Sequence, residues 1–471
     1  MTISSRIQAL IVSTLLVCAG PIPLAAQTAD PGGQGGSPPQ GTEGGDGGGD
    51  GSALTRPFRG LFGLGDSGRT GASLSGALFG AYSDNIAATL PGRTFDPRFQ
   101  RSGWYSGANS QLSVNWHGER ATLNGWGFAG TSYYPDFDNP LVPSYSGGIG
   151  FGRPLGQRNS MQLSTAMTYS PYFLNGFFAG VPQLDELPVT PVTPDPGLDV
   201  SGNTIIRYSA SAGVTRQLSR AASISAGYTY VRSNYSDYDR TYEEQRGSVT
   251  FGRRLTRHAS LRLGYGYRSI TSTLGVPGIP DITRSVQDIN VGVDYNRSFA
   301  ISMSRRTRVG FGTGTSFVKG SEISGGEFTQ GTKSRFYVTG TADIVHEMGR
   351  TWRAAAAYRR SAGFSELVFE PVISDSLTGT LSGLLGRRNE VSMTASASTG
   401  DVGNNRPDSD YTSYFANAQF RRAITRHLAA YISYQLYRHD FGTQVRLPIG
   451  FPQYLDRQGV NFGLNVWVPL R

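Results

Sequence analysis

The sequence predicts an all-β protein, a single closed antiparallel barrel of about 18 strands (about 16 to 18) that crosses a membrane. Three observations predict it. From Gly71 to the end of the chain, apolar and polar residues alternate with a period of two, as they do along β-strands. A turn-and-strand motif recurs through the same region, and the apolar face of the strands differs in composition from a soluble core.

The recurring motif indicates the strand count. LSRAASISAGYTY (218–230) and LTRHASLRLGYGY (255–267) match at a spacing of 37 residues. Each is a short polar turn with arginine, followed by an alternating strand. Eight such turns connect sixteen strands, and the segments 71–83 and 458–470 outside the first and last turns bring the number to eighteen.

The connections are of two lengths, and the short ones all fall on one side of the predicted sheet. Short turns on one side and long loops on the other, with an even number of strands, are typical of bacterial outer-membrane barrels. The arginines of the short turns are placed to meet lipid phosphates at the periplasmic rim, although a solvated turn explains them equally well. The predicted long loops are 84–103, 134–143, 171–201, 272–284, 401–410 and 440–456.

The two faces of the strands distinguish a membrane barrel from a soluble β-sandwich or propeller, which alternation alone also fits. On one face, small residues occupy mid-strand positions and aromatic residues the ends, as in a lipid-facing belt between aromatic girdles. The other face is polar and charged, and burying it in a sandwich would carry a large desolvation cost. In hydrocarbon every backbone group needs a partner, so the spanning sheet must close. The apolar face includes Leu112, Val114, Trp116, Tyr208, Val214, Leu263, Tyr265, Tyr358, Phe462 and Val466.

The polar face supplies the predicted lining of the lumen. Closing about eighteen strands leaves an interior too wide for side chains to fill, which predicts an aqueous channel. Arginines that have no partner would favour anions, whereas pairing with the aspartates would cancel that preference, so the selectivity stays open. The candidate lumen residues are Arg207, Arg246, Arg262, Arg268, Asp288, Asp294, Arg335, Asp343 and Arg359.

In the repeated text at 218–230 and 255–267 the sequence resembles the β-barrel porins of Gram-negative outer membranes, a large and mostly uncharacterised family. The resemblance covers roughly 71–471 and concerns architecture more than substrate. It implies an outer-membrane location in a Gram-negative bacterium, contact with lipid and lipopolysaccharide, and insertion by the barrel-assembly machinery. One departure is the end of the chain, WVPLR, where such strands usually finish on an aromatic residue. Either this signal is degenerate or Trp467 serves in its place.

The N-terminal region is predicted to be a signal peptide (1–26) followed by a flexible leader (27–70). Arg6 precedes a mostly apolar run that ends at Cys18, and PIPLAAQ offers a cleavage site after Ala26. A lipoprotein signal around Cys18 is disfavoured, because Val17 stands where a small residue is needed. The leader is rich in glycine and proline and poor in apolar residues, so it cannot form a core. A few apolar anchors between 55 and 70 are suited to local docking.

No constellation for catalysis or for a bound cofactor is recognisable. None of the five histidines has a second histidine at metal-ligand spacing, and none lies mid-strand where it could serve a lipid hydrolase as base. DYDRTYEE (237–244) lacks the glycine and the distal glutamate of a calcium loop. We therefore expect neither an enzyme, a metal site nor a cofactor. The 43 basic residues are scattered and accompany no nucleic-acid motif, so nucleic acid is not an expected partner.

The loop 171–201 is the third predicted long loop. In one interpretation it folds into the barrel and narrows the pore, so that its acidic residues face the basic wall and create a transverse field. In the other it is an external loop that packs on its neighbours through Phe173, Phe177 and Phe178. The constriction candidates are Asp185, Glu186, Asp195 and Asp199.

The leading functional hypothesis is an outer-membrane channel for passive diffusion of small hydrophilic solutes. An export conduit or accessory barrel for a secreted polysaccharide is the alternative; aromatic residues in the lumen would favour it, with Tyr337, Phe415 and Tyr431 as the inward candidates. A structural barrel with a blocked lumen, plugged by the leader, is the third. A TonB-dependent transporter is disfavoured, because no folded plug domain of adequate length precedes Gly71.

Overall fold

The computed structural model of the chain describes residues 70–84, 102–135, 141–171, 204–235, 240–273, 282–302, 305–321, 332–349, 351–364, 371–402, 409–445 and 453–470. The predicted signal peptide, almost all of the predicted leader, and the candidate constriction residues Asp185, Glu186, Asp195 and Asp199 lie outside the described residues.

The described residues form eighteen strands, which confirms the predicted fold class and the upper end of the predicted range. The strands are β1 (Thr70–Ser83), β2 (Gly103–His117), β3 (Thr122–Tyr133), β4 (Leu141–Pro154), β5 (Asn159–Pro171), β6 (Thr204–Ser219), β7 (Ala222–Tyr235), β8 (Arg240–Arg254), β9 (Ala259–Thr273), β10 (Ile282–Ser302), β11 (Arg305–Ser321), β12 (Thr332–Met348), β13 (Trp352–Phe364), β14 (Pro371–Leu385), β15 (Asn389–Val402), β16 (Asp410–Ala423), β17 (Leu428–Phe441) and β18 (Tyr454–Leu470).

The sheet is a closed meander. Each strand pairs antiparallel with its neighbours in sequence, and β1 pairs with β18 to complete the ring. The closing register runs from Ala72 opposite Leu470 to Ser83 opposite Gly459. Closure gives each of the eighteen described strands a neighbouring strand on both sides, which is the condition that a sheet in hydrocarbon must satisfy.

The short turns explain why the motif repeats. In the turn that connects β8 to β9, the Thr256 hydroxyl oxygen accepts hydrogen bonds from the backbone N–H groups of His258 and Ala259, at 3.2 and 3.0 Å. The turn that connects β16 to β17 uses Thr425 in the same way, with the N–H of His427 at 3.1 Å. A threonine hydroxyl that bonds to the following backbone is a local turn device. The Thr-Arg-His sequence therefore recurs at these turns because its threonine hydroxyl stabilises the turn backbone.

The outer surface of the barrel is apolar, as the alternation predicts. Leu263 is 40% exposed, whereas Arg262 and Gly264, the residues on either side of it in the strand, face inward and are less accessible. A globular soluble protein does not expose a continuous apolar surface of this extent, so the surface is the face that contacts lipid. Other exposed outer residues are Leu112, Val114, Trp116, Tyr208, Val214, Tyr265, Ile289, Val291, Tyr358, Ile432, Phe462, Leu464, Val466 and Val468.

Charged residues on the outer surface mark the limit of the apolar belt on the side of the long loops. Arg232 pairs with Glu243 and Arg360 pairs with Asp375, each at 3.2 Å, and the Arg438 guanidinium lies 5.1 Å from the centre of a tyrosine ring. The strands β7, β13 and β17 begin at the short turns, and these arginines stand eight to ten residues after the strand starts. A strand tilted by roughly 40° rises about 2.5 Å per residue along the axis, which places the charges about 20–25 Å above the short turns. An outer-membrane belt has about this height.

Candidate functional site

The inner surface of the barrel carries most of the charged residues singled out in the sequence. Arg207 lies on β6, Arg246 on β8, Arg262 and Arg268 on β9, Asp288 and Asp294 on β10, Asp343 on β12 and Arg359 on β13. Each occupies the strand face opposite the exposed apolar residues. Arg335 lies on β12 opposite Val318, but its side chain is outside the part that the structure describes.

A cavity of about 860 Å³ occupies one side of the lumen. Its lining comes from β3 to β13 and brings together residues far apart in sequence. Of the predicted residues, five line it: Arg246, Arg262, Asp288, Asp294 and Arg359. The other lining side chains are mostly short and polar, among them Asn124, Gln162, Ser164, Thr229, Asn290 and Thr341.

A charge cluster beside the cavity centres on the buried Arg268, whose neighbours Glu244, Arg246 and Asp288 line the cavity. Its Nε lies 3.4 Å from Glu244 Oε1 and its Nη2 lies 3.7 Å from Asp288 Oδ2. The Tyr242 hydroxyl donates a hydrogen bond of 2.7 Å to Glu244. Arg246 stands directly opposite Arg268 across the strand pair, an arrangement of like charges that is unfavourable by itself. Because two carboxylates flank Arg268, the cluster is balanced rather than basic.

The second ion pair of the wall joins Arg262 Nη2 to Asp294 Oδ1 at 3.2 Å. The side chains of this pair lie beside Gly312 of the neighbouring strand β11, which stands opposite Asp294. A Cβ atom added to Gly312 would come within 2.8 Å of Asp294 Oδ1 and 3.8 Å of Arg262 Nη2. In the same way a Cβ at Gly314 would meet Asn290 Oδ1 at 3.1 Å. The bare glycines of β11 therefore let the long side chains lie flat along the wall, which keeps the lumen wide.

Hydroxyl groups join neighbouring strands on the inner surface. Ser164 and Ser211 approach to 2.6 Å, Ser73 and Ser113 to 2.7 Å, and Thr378 and Ser396 to 3.0 Å. Each pair is a direct cross-strand contact of the kind that stabilises a sheet. The inner wall is thus polar even where it carries no charge.

The aromatic residues of the lumen are more numerous than the sequence indicated. Phe415 and Tyr431 lie inward and are buried, as predicted, and Tyr337 also lies on the inner face. The structure adds a cluster in which Phe79 meets the Tyr105 ring edge-on at 6.2 Å. The sequence signal is weak there, because β1 has apolar residues on both faces and alternation does not assign them.

A buried ion pair between Glu390 on β15 and Arg421 on β16 was also missed. Both residues are close to short turns that are rich in arginine, so the sequence alone does not distinguish them from solvated turn residues. Only the cross-strand register shows that the two side chains meet on the inner face. Near them, Leu384, Ala423, Ala429 and Trp467 form an apolar cluster at the side of the short turns. Trp467 therefore faces inward and not toward lipid.

Three further observations concern metal ligands, a histidine and membrane-spanning helices. Among the described residues, no group of three or more His, Cys, Asp or Glu side chains is arranged to hold a metal ion. His439, which directly precedes the predicted loop 440–456, lies within β17 and is buried on its inner face. In the same part of the chain, no helix is long and apolar enough to span a membrane.

An apolar outer surface, a closed ring of eighteen strands and a polar inner wall with a cavity define a transmembrane β-barrel of the outer-membrane type.

No protein-family model matches the chain, and no curated protein does so at a significant level. Similar solved structures include OccK8 (OprE) of Pseudomonas aeruginosa, with a TM-score of 0.43 and 10% identity over 85% of this chain and 98% of that chain. OpdL of Pseudomonas aeruginosa gives a TM-score of 0.41 and 12% identity over 85% and 99%. The FrpB iron transporter of Neisseria meningitidis (F5-1 variant) gives 0.44 and 8% over 85% and 82%.

Proposed function

We propose that the protein is an outer-membrane channel for passive diffusion of small hydrophilic solutes. The observation that supports this proposal best is the polar cavity of about 860 Å³ inside the barrel. A single water molecule occupies about 30 Å³ in the liquid, so the cavity has room for solutes much larger than water. Its hydroxyl, amide and charged groups would replace part of a solute's hydration shell, which suits polar molecules rather than apolar ones.

The ion pairs of the wall bear on charge selectivity. Arg262 is paired with Asp294, and Arg268 lies between Glu244 and Asp288. These contacts neutralise the positive charge of Arg262 and of Arg268, and the carboxylates Asp288 and Asp294 line the same cavity. We therefore expect the channel to discriminate only weakly between small anions and cations, and to pass neutral or zwitterionic solutes.

Single-channel recording tests the proposal. The purified mature chain is inserted into planar bilayers, and conductance and reversal potential are measured across a potassium chloride gradient. Stepwise conductance with a reversal potential near zero is expected. The matched variants Arg262→Gln and Asp294→Asn should move the reversal potential in opposite directions, toward cations and anions respectively, because each removes one sign from the pair. Inserted barrels that conduct no ions would contradict the proposal.

The polysaccharide-export alternative gains no support from the inward aromatic residues. A polymer conduit would present exposed rings along its path, whereas Phe79, Tyr105, Phe415 and Tyr431 are buried. Tyr105 stacks on Tyr134 with ring centres 5.0 Å apart, and the Tyr431 hydroxyl donates a hydrogen bond to Asn461 at 3.2 Å. These rings pack against the wall and are not available as stacking platforms.

A further inference from the structure

The inner surface of the barrel has two parts that differ in accessibility. The inner side chains of β3 to β13 contribute to the cavity wall. Those of β14 to β18, β1 and β2, which we call the covered wall, are mostly buried. Buried residues of small or medium size on this wall include Ala77, Asn109, Ser396, Ser413, Ser433 and Asn465.

Burial of such residues requires atoms that lie over them. The interior of a barrel with eighteen strands is too wide for its own side chains to fill. On β14 and β15 most inner side chains are serine or threonine, and Ser376 and Thr394 among them are buried. Longer side chains of neighbouring strands, such as Arg359 opposite Ser376, supply part of the cover, which leaves another part of the chain or a bound molecule to supply the rest.

The covered wall also presents polar groups that lack partners. Asn109 and Asn465 flank Ala77 in one row across β2, β1 and β18. Asn465 is 1% exposed, and neither amide atom of Asn109 or Asn465 has a hydrogen-bond partner among the described residues. The same holds for the hydroxyl of Ser433. A side-chain amide needs both a donor and an acceptor, and a peptide backbone supplies both.

We propose that the leader, residues 27–69, lies inside the lumen against the covered wall and leaves the cavity at β3 to β13 as the solute path. The leader continues directly into β1 at Thr70, at the end of the barrel where Ser75 stands opposite Trp467. The apolar cluster of Leu384, Ala423, Ala429 and Trp467 lies at this end. The apolar stretch FRGLFGL (58–64) of the leader can pack against this cluster.

The length of the leader fits this role. An extended chain spans about 3.3 Å per residue, so residues 27–69 span roughly 140 Å. The covered wall is seven strands wide, or about 34 Å, and about 35 Å tall. The leader can therefore pass along the wall about four times. Its many glycines let the backbone approach closely, which an amide partner such as Asn465 requires.

Crosslinking tests the position of the leader in the full-length protein. The chain contains one cysteine, Cys18, which is replaced by serine so that introduced pairs are unique. Phe58→Cys or Leu61→Cys is combined with Ser433→Cys on the covered wall, or with Ser211→Cys on the cavity side as control. A short bismaleimide in outer-membrane vesicles should link the leader to position 433 about tenfold more than to position 211. No link to position 433 from either leader position, or equal linking to both walls, would overturn the proposal.

Labelling provides a second readout. Ser433→Cys should resist a water-soluble maleimide in the full-length protein and react about tenfold faster in a barrel that lacks residues 27–69. Ser211→Cys should react in both. Protection that persists in a truncated barrel with folded-type migration on unheated gels would assign the cover to an outer loop or a bound glycan, and would overturn the proposal. Neither test depends on whether the barrel conducts ions.

Discussion

The Arg268 cluster gives a quantitative test of how the inner wall is stabilised. Arg268 is 2% exposed, and its partners Glu244 and Asp288 are 8% and 23% exposed at the side chain. Replacing Arg268 by methionine keeps most of the side-chain volume but leaves two carboxylates without their cation. Breaking a buried pair by removing one partner costs about 3–5 kcal/mol. Because Asp288 is partly accessible to water, we expect the lower end, a loss of about 3 kcal/mol in the free energy of unfolding.

The double variant Arg268→Met/Glu244→Gln separates loss of the pair from loss of one partner. Replacing a whole buried pair by neutral residues is close to neutral, so the double variant should recover about 1–2 kcal/mol relative to Arg268→Met. Arg232→Met is the matched control, because its pair with Glu243 has side chains that are 46% and 33% exposed. It should cost less than about 1 kcal/mol.

The assay is urea unfolding of the barrel in lipid vesicles, followed by tryptophan fluorescence and by migration on unheated gels. Unfolding of Arg268→Met at the same urea concentration as the wild type would contradict this prediction. A double variant no more stable than Arg268→Met would contradict it as well, since an unpaired Glu244 carboxylate would then cost no stability.

Three other predictions concern the lumen and the outer surface. Deleting 176–198 should raise single-channel conductance well above wild type if this loop constricts the pore, and unchanged conductance would favour the external loop. Gly312→Val should lower conductance, because its side chain would push Asp294 and its arginine partner away from the wall; Gly247→Val, on the lipid-facing side of β8, is the control. Leu263→Arg should reduce insertion into vesicles, since a charge near the middle of the lipid face costs about 2–4 kcal/mol; unimpaired insertion would contradict the assigned belt.

The strand count and the two faces were predictable because both depend on local signals. A period of two assigns every second residue to one face, so Leu263 and Arg262 separate without knowledge of any partner strand. The turns were predictable for a similar reason, since Thr256 bonds to the backbone only two and three residues further along. Alternation failed at Phe79, where apolar residues occupy both faces of β1 and neither face stands out.

The sequence by itself determined that the chain forms a barrel with an apolar outside and a polar inside. Only the tertiary structure decided which charges meet: Arg268 reaches Glu244 and Asp288, and Arg421 reaches Glu390, through the register between strands. The sequence also did not predict that the lumen divides into an open part and a covered part. Local alternation specifies a direction for each side chain, whereas register and closure combine all eighteen strands and fix its neighbours.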